Sequence, residues 1–286
     1  MLDKKAQLIS NFQSIMLILE PDEAGSDFSL PGESICDWLR RYEQWFDQNC
    51  GLSEKKRGLL LYGRNISISG TGLLQRKAAL KNLLRKLTEM NQSISLHLNF
   101  REIYEDFSFL EEICGESAIS SLGLNIDGNG LSPSAEELEA FLQKLRGLRR
   151  SLILFGSMDE MRQLKLFSSP ALNSTDLSVS LYPEESAEAP SDFVRPCANR
   201  LMLCIAPDGK LYPCLGLIGF EKFALGSVYD QDEENLLLLE NHPLDLLRLK
   251  AEGPSLLYED VIDSSTTLPW MCKLHRGELL EYDELQ

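Results

Sequence analysis

Over the first 180 residues, short runs rich in Ile, Leu and Val alternate with stretches of helical period. The runs read as buried strands: SIMLIL near residue 15, GLLLYGRNISIS near 60–69, SISLHLN at 93–99, SLGLNID at 121–127, SLILF at 151–155 and LSVSLY at 177–182. Between them Ile35, Trp38, Leu39, Tyr42, Trp45 and Phe46 fall on one helical face, as do Leu80, Leu83, Leu84 and Leu87. Ser134 and Glu137 form a capping box ahead of Leu138, Phe141, Leu142 and Leu145. Successive strands separated by helices imply parallel pairing, because each crossover needs a helix. The fold class is therefore α/β. Eight strand–helix units close a full barrel, and six predict a partial (β/α)6 TIM-like barrel. A doubly wound sheet fits the same periodicity.

The pattern changes at PEESAEAPSD, residues 183–192, which is polar, carries Pro183 and Pro190 and has no period. It marks a linker, predicting domains at 1–185 and 186–286. The second part holds an apolar strand LMLCIA, a Pro207-Asp208-Gly209 turn, a second strand ending on Pro213-Cys214, a leucine-rich helical segment around 235–250, and the tail PWMCKLHRGEL.

Composition narrows the function classes. Asp and Glu number 44 against 28 Lys and Arg, a net charge of −16, which argues against a nucleic-acid partner. The same charge suits a solvated surface or a basic partner. No run approaches the ~18 apolar residues of a membrane span, and the lysines of MLDKKAQLIS are not followed by an apolar targeting core. The expectation is a cytoplasmic chain whose seven cysteines are thiols or metal ligands rather than disulfides.

Four of those cysteines lie in the last third: Cys197, Cys204, Cys214 and Cys272, with His275 three positions after the last. Cys-x-x-His lets two ligands reach one ion from a single turn. The hairpin turn folds its strands back, so Cys214 returns toward Cys197 and the start of the first strand. Soft thiolates select zinc or iron–sulfur clusters. Cys204, inside LMLCIA, also reads as an ordinary core residue. Cys36, Cys50 and Cys114 read as core or surface positions, and His97 and His242 as structural or surface ones. Asn99, Asp127 and Thr71 are the polar groups at strand ends, each also explicable as a turn or capping residue.

The motifs CANRLMLCIAPDGKLYPCLG, FEKFALGSVYD and PWMC, in that order, resemble the C-terminal SPASM or twitch domain of radical S-adenosylmethionine (SAM) enzymes. Upstream, NISISGTGLL is similar to the family's Gly-Gly-Glu-Pro segment after the second strand, and LGLNIDGNG to its Ser-Ile-Asp-Gly segment. The resemblance implies a radical SAM-like partial barrel followed by a small SPASM/twitch-like α+β metal-binding domain with an auxiliary iron–sulfur cluster. The departures are specific. The family's three-cysteine loop follows the first strand, but residues 20–35 contain no cysteine, and Cys36 alone cannot replace three thiolates. Gly70-Thr71-Gly72 keeps glycines where the family has a glutamate.

The resemblance thus implies a degenerate homologue with no SAM-radical activity of its own and no catalytic or SAM-binding residues retained. One iron–sulfur cluster of [4Fe–4S] type, with zinc as the alternative, would be held from among Cys197, Cys204, Cys214, Cys272 and His275. SAM is not expected as a cofactor. Such a chain would serve as partner or scaffold in peptide or cofactor maturation, beside an active radical SAM enzyme, a peptide substrate, or both. The alternatives are an enzyme using the remaining metal for other chemistry, and a structural Cys3His zinc protein.

Overall fold

The computed structural model describes residues 14–22, 27–49, 65–126, 133–148, 150–157, 179–184, 202–212 and 224–230, with positions 164, 215, 218–219 and 221. The elements run β1 (Ser14–Leu19), α1 (Gly32–Asn49), β2 (Asn65–Gly70), a 3₁₀ turn (Leu73–Arg76), α2 (Lys77–Glu89), β3 (Ser93–Asn99), α3 (Phe100–Glu105), α4 (Phe107–Glu116), β4 (Ile119–Asn125), α5 (Ala135–Leu145), a second 3₁₀ turn (Arg146–Leu148), β5 (Ser151–Ser157), β6 (Val179–Glu184), β7 (Met202–Ile205), β8 (Lys210–Tyr212) and β9 (Gly226–Ser227). The chain divides into two compact units, one of residues 1–18, 33–64 and 190–286, the other of 19–32 and 65–189.

In the second unit β6, β5, β4, β3 and β2 lie side by side, every pair parallel. This is the arrangement that alternating strand and helix periods dictate. Alternate strand positions Ile66, Ile68, Ile94, Leu96, Leu98, Leu122, Leu124, Leu152 and Leu154 are buried. So are the helix stripes Leu80, Leu83, Leu84 and Leu87 of α2, Phe109, Leu110 and Ile113 of α4, and Leu138, Phe141, Leu142 and Leu145 of α5. The capping box at α5 is formed in both directions: the Glu137 amide donates to Ser134 Oγ at 3.1 Å, and the Ser134 amide to Glu137 Oε2 at 2.8 Å.

Three boundaries differ from the sequence reading. β4 begins at Ile119, where a register shift beside Ile94 and Ser95 accommodates the early start. Two helices, α3 and α4, fill the β3–β4 connection. β6 runs through Pro183 and Glu184, so the first two residues of the expected linker are strand. Proline is tolerated there because β6 lies at the end of the sheet and a missing amide removes no interior hydrogen bond.

In the first unit β7 pairs parallel with β1, Ser14 opposite Met202 and Leu17 opposite Ile205. β7 then pairs antiparallel with β8, and β8 with β9. The Gly209 amide donates to the Ala206 carbonyl at 2.9 Å, the Lys210 amide to Asp208 Oδ1 at 3.0 Å, and Gly209 takes φ 81°. This three-residue loop needs glycine in its last position, as the Pro-Asp-Gly sequence predicts. Helix α1 buries Ile35, Cys36, Trp38, Leu39 and Tyr42, and Arg41 donates to the carbonyls of Val228, at 2.8 Å, and Asp230. The expected leucine-rich helix around 235–250 lies outside the described residues.

Candidate functional site

The remaining strand positions of the second unit make a polar face. In register, Ser67, Ser95, Ser121 and Ser151 form one row across β2 to β5. The next row toward the carboxyl ends holds His97, Gly123 and Ile153, with Ser69 the corresponding position of β2, and the last holds Asn99, Asn125 and Phe155. A packed barrel fills such positions with branched apolar side chains. Here Ser95 is instead part of a hydrogen-bonded ladder: Asn65 Nδ2, from the row below, donates to Ser95 Oγ at 2.7 Å, and Ser95 Oγ meets Ser121 Oγ. Ser95 is buried, so its contacts replace water.

One row higher, the His97 ring leans over Gly123 toward Phe155, with ring centroids 5.4 Å apart. A Cβ on Gly123 would lie 2.4 Å from His97 Nδ1, so the absence of a side chain is what admits the ring. Burial lowers the His97 pKa and keeps the imidazole neutral at neutral pH.

At the carboxyl edge the chain leaves β2 through Gly70-Thr71-Gly72. Gly70 has φ 153°, and a Cβ there would sit 1.8 Å from the Leu19 carbonyl oxygen. Gly72 has φ 64°. Asn99 precedes the first turn of α3, and Glu102 in that turn reaches back. Burial raises the Glu102 carboxyl above its ordinary range, while hydrogen bonds from the Gly72 amide and from Asn99 pull it part of the way down. Its Oε2 is buried with no hydrogen-bond partner among the described residues. Sequence reasoning passed over Glu102, whose position three residues after Asn99 at a strand end was the available signal. Thr71 is exposed, Asn99 lies at the edge as expected, and Asp127 is outside the described residues.

Of the expected metal ligands, Cys197, Cys214, Cys272 and His275 lie outside the described residues, as do Cys50 and His242. Cys204 is buried in β7 between Leu203 and Ile205, with Tyr212 opposite. Cys36 is buried on α1 and Cys114 on α4. Burial pushes the Cys114 thiol up to about 11, against the opposing pull of Arg150, so it stays protonated. Among the described residues no three His, Cys, Asp or Glu side chains converge to hold a metal. With no cysteine in residues 20–35, and Cys36 and Cys114 on separate helices, the residues after β1 do not fit a SAM-cleaving cluster.

No family model matches the chain. No curated protein matches it either. Among solved structures it is similar to SuiB of Streptococcus suis, with a TM-score of 0.50 at 10% identity over 87% of this chain and 70% of SuiB. The likeness is one of fold. It supports the α/β architecture with a mostly parallel sheet that the strand and helix periods predict. Two other SuiB structures align with lower TM-scores: the S-adenosylmethionine complex at 0.48 (12% identity, 85% of this chain and 68% of that one), and the complex with precursor peptide SuiA at 0.46 (11%, 92% and 70%). No helix among the described residues is long and apolar enough to cross a membrane.

Proposed function

We propose that this chain is a degenerate radical SAM–SPASM homologue that keeps one auxiliary metal site and acts as partner or scaffold in the maturation of a peptide. The observation that carries the reading is selective loss. The chain keeps a parallel α/β fold similar to that of SuiB, and the hairpin motifs of the SPASM domain, but has no cysteine between residues 20 and 35 and a Gly-Thr-Gly turn where the family has a carboxylate. Three thiolates are the minimum for a cluster with an open iron, and the segment after the first strand, where the family holds its SAM cluster, has none.

The auxiliary site would draw on Cys197, Cys214 and Cys272, with Cys204 or His275 completing the set. When bound there, a cluster supplies one-electron transfer or a rigid cross-link between distant segments. The peptide context is supported by SuiB, one of whose structures holds the precursor peptide SuiA.

The test is purification under strict anaerobiosis, followed by iron, sulfide and zinc analysis and an assay for 5′-deoxyadenosine from SAM and dithionite. The expected result is iron and sulfide with no 5′-deoxyadenosine. Formation of 5′-deoxyadenosine by the isolated chain overturns the reading. Zinc at one per chain without sulfide replaces the cluster with a structural zinc site.

A further inference from the structure

Two buried polar groups of β2 lack a protein partner. Asn65 Oδ1 is sealed from solvent and makes no hydrogen bond to a described residue. Ser67, the next position of β2 on the same face, is 6% exposed, and its hydroxyl likewise has no partner among the described residues. A buried amide oxygen or hydroxyl that gives up water without a replacement carries the full cost of desolvation, so native folds meet such groups with a protein atom or an ordered water.

The register brings the two groups together. Asn65 Nδ2 reaches Ser95 Oγ at 2.7 Å, and Ser95 stands opposite Ser67. The amide oxygen is fixed about 2.3 Å from the amide nitrogen, since both sit on one carbon. It therefore lies within about 5 Å of Ser95 Oγ, beside the Ser67–Ser95 row. Exchanging the two amide atoms removes nothing: Ser95 Oγ would donate to the oxygen, and the nitrogen would be orphaned instead. Ser95 Oγ has one proton and two lone pairs, and its contacts with Asn65 and Ser121 use two of the three.

We propose that one buried water molecule is bound between β2 and β3 by Asn65 Oδ1, Ser67 Oγ and the remaining position on Ser95 Oγ. Three partners are the usual number for an internal water. Successive positions on one face of a strand are about 6.6 Å apart, and the lean of Asn65 toward Ser95 shortens the gap between the side-chain tips. A water making two bonds of about 2.8 Å bridges atoms up to about 5.6 Å apart. The three groups are neutral, so they compensate no bound ion, and a sealed oxygen gives no access to a larger ligand. Water also donates and accepts, and so satisfies either orientation of the amide. The inference is independent of the proposed function.

The experiment uses the full chain. A high-resolution crystal structure should show one water within about 3.2 Å of all three side chains. Two substitutions test the same site in solution. Ser67→Ala removes one partner and leaves room for the water, whereas Ser67→Val fills its place with methyl groups and strands the Asn65 amide. In urea unfolding the equilibrium constant for unfolding should be about tenfold larger for Ser67→Val than for Ser67→Ala. In an Asn65→Leu background, which has no amide to strand, that gap should vanish. An equal gap in both backgrounds overturns the proposal. So does a crystal structure with no density at the site, with Ser67 Oγ bonded directly to the Asn65 amide, or with a cation at contacts of about 2.4 Å. Should Asn65→Leu fail to fold, the crystal structure decides alone.

Discussion

Gly70→Ala should be among the most damaging single substitutions in the second unit. A Cβ built on Gly70 lies 1.8 Å from the Leu19 carbonyl oxygen, 2.8 Å from its carbon and 3.0 Å from its nitrogen. An ordinary carbon–oxygen contact is about 3.3 Å, so roughly 1.5 Å of movement is required. All three obstructing atoms are backbone, held at the end of β1, and no rotamer change relieves them. The φ of 153° adds strain that an alanine meets and a glycine does not. Distorting bond angles costs about 1 kcal/mol for the first ~7° and rises quadratically, so the cheaper outlet is separation of the two strand ends at about 4 kcal/mol in total. Urea unfolding followed by circular dichroism reads this directly. With a slope of about 3 kcal/mol per M, the midpoint should fall by about 1.3 M. Gly115→Ala is the internal control: nothing lies within 4 Å of its Cβ, and α4 should gain up to about 1 kcal/mol. A Gly70→Ala protein within about 1 kcal/mol of the parent would refute the close approach of the two backbones.

Ser134→Ala removes one half of the α5 capping box and should cost about 1 kcal/mol in the same urea assay, with Ser134→Asp restoring most of it. Arg41→Met keeps the aliphatic stem but loses the hydrogen bonds to the Val228 and Asp230 carbonyls. It should destabilise the first unit by about 2 kcal/mol, seen as faster amide exchange in 224–230. His97 has a folded pKa below that of the unfolded chain, so its contribution is complete above the unfolded value of about 6.5 and is lost as pH falls through the folded one. Stability measured from pH 7.5 down to 5.5 should therefore decline more in the parent than in His97→Gln; the strands flanking His97 carry no titratable group, and Glu102 stands at the edge beyond Asn99. Equal slopes would contradict the burial of a neutral imidazole.

Local chemistry made much of the fold legible. SISLHLN became β3 residue for residue, and SLILF opened β5, because strands buried on a helix-covered face need an unbroken alternation that a turn signal then ends. The Pro-Asp-Gly loop and the Ser134 capping box were readable because each depends on residues three or four apart. The pair α3–α4 was missed although Phe109, Leu110, Ile113 and Cys114 carry a helical stripe, since the break at Asp106 splits the pattern into pieces too short to stand out. The partnership of β7 with β1 joins residues 188 positions apart, Ser14 and Met202, and no local pattern encodes such a pairing. The polar face follows the same logic. Its serines, asparagines and His97 are visible in the sequence, but their alignment into rows, and the seat that Gly123 makes for the imidazole, depend on inter-strand register. Among the proposed metal ligands the structure describes Cys204, and its burial in β7 suits a core residue and a ligand alike.

In the proposed function the C-terminal cysteines hold a metal while the segment after β1 holds none. Iron and sulfide determination on anaerobically purified protein, parent against a Cys197→Ser, Cys214→Ser, Cys272→Ser triple variant, addresses it most directly. Roughly four iron and four sulfide per chain in the parent, and none in the folded variant, is the expected outcome. A metal-free parent, or a cluster that survives loss of all three cysteines, would contradict it.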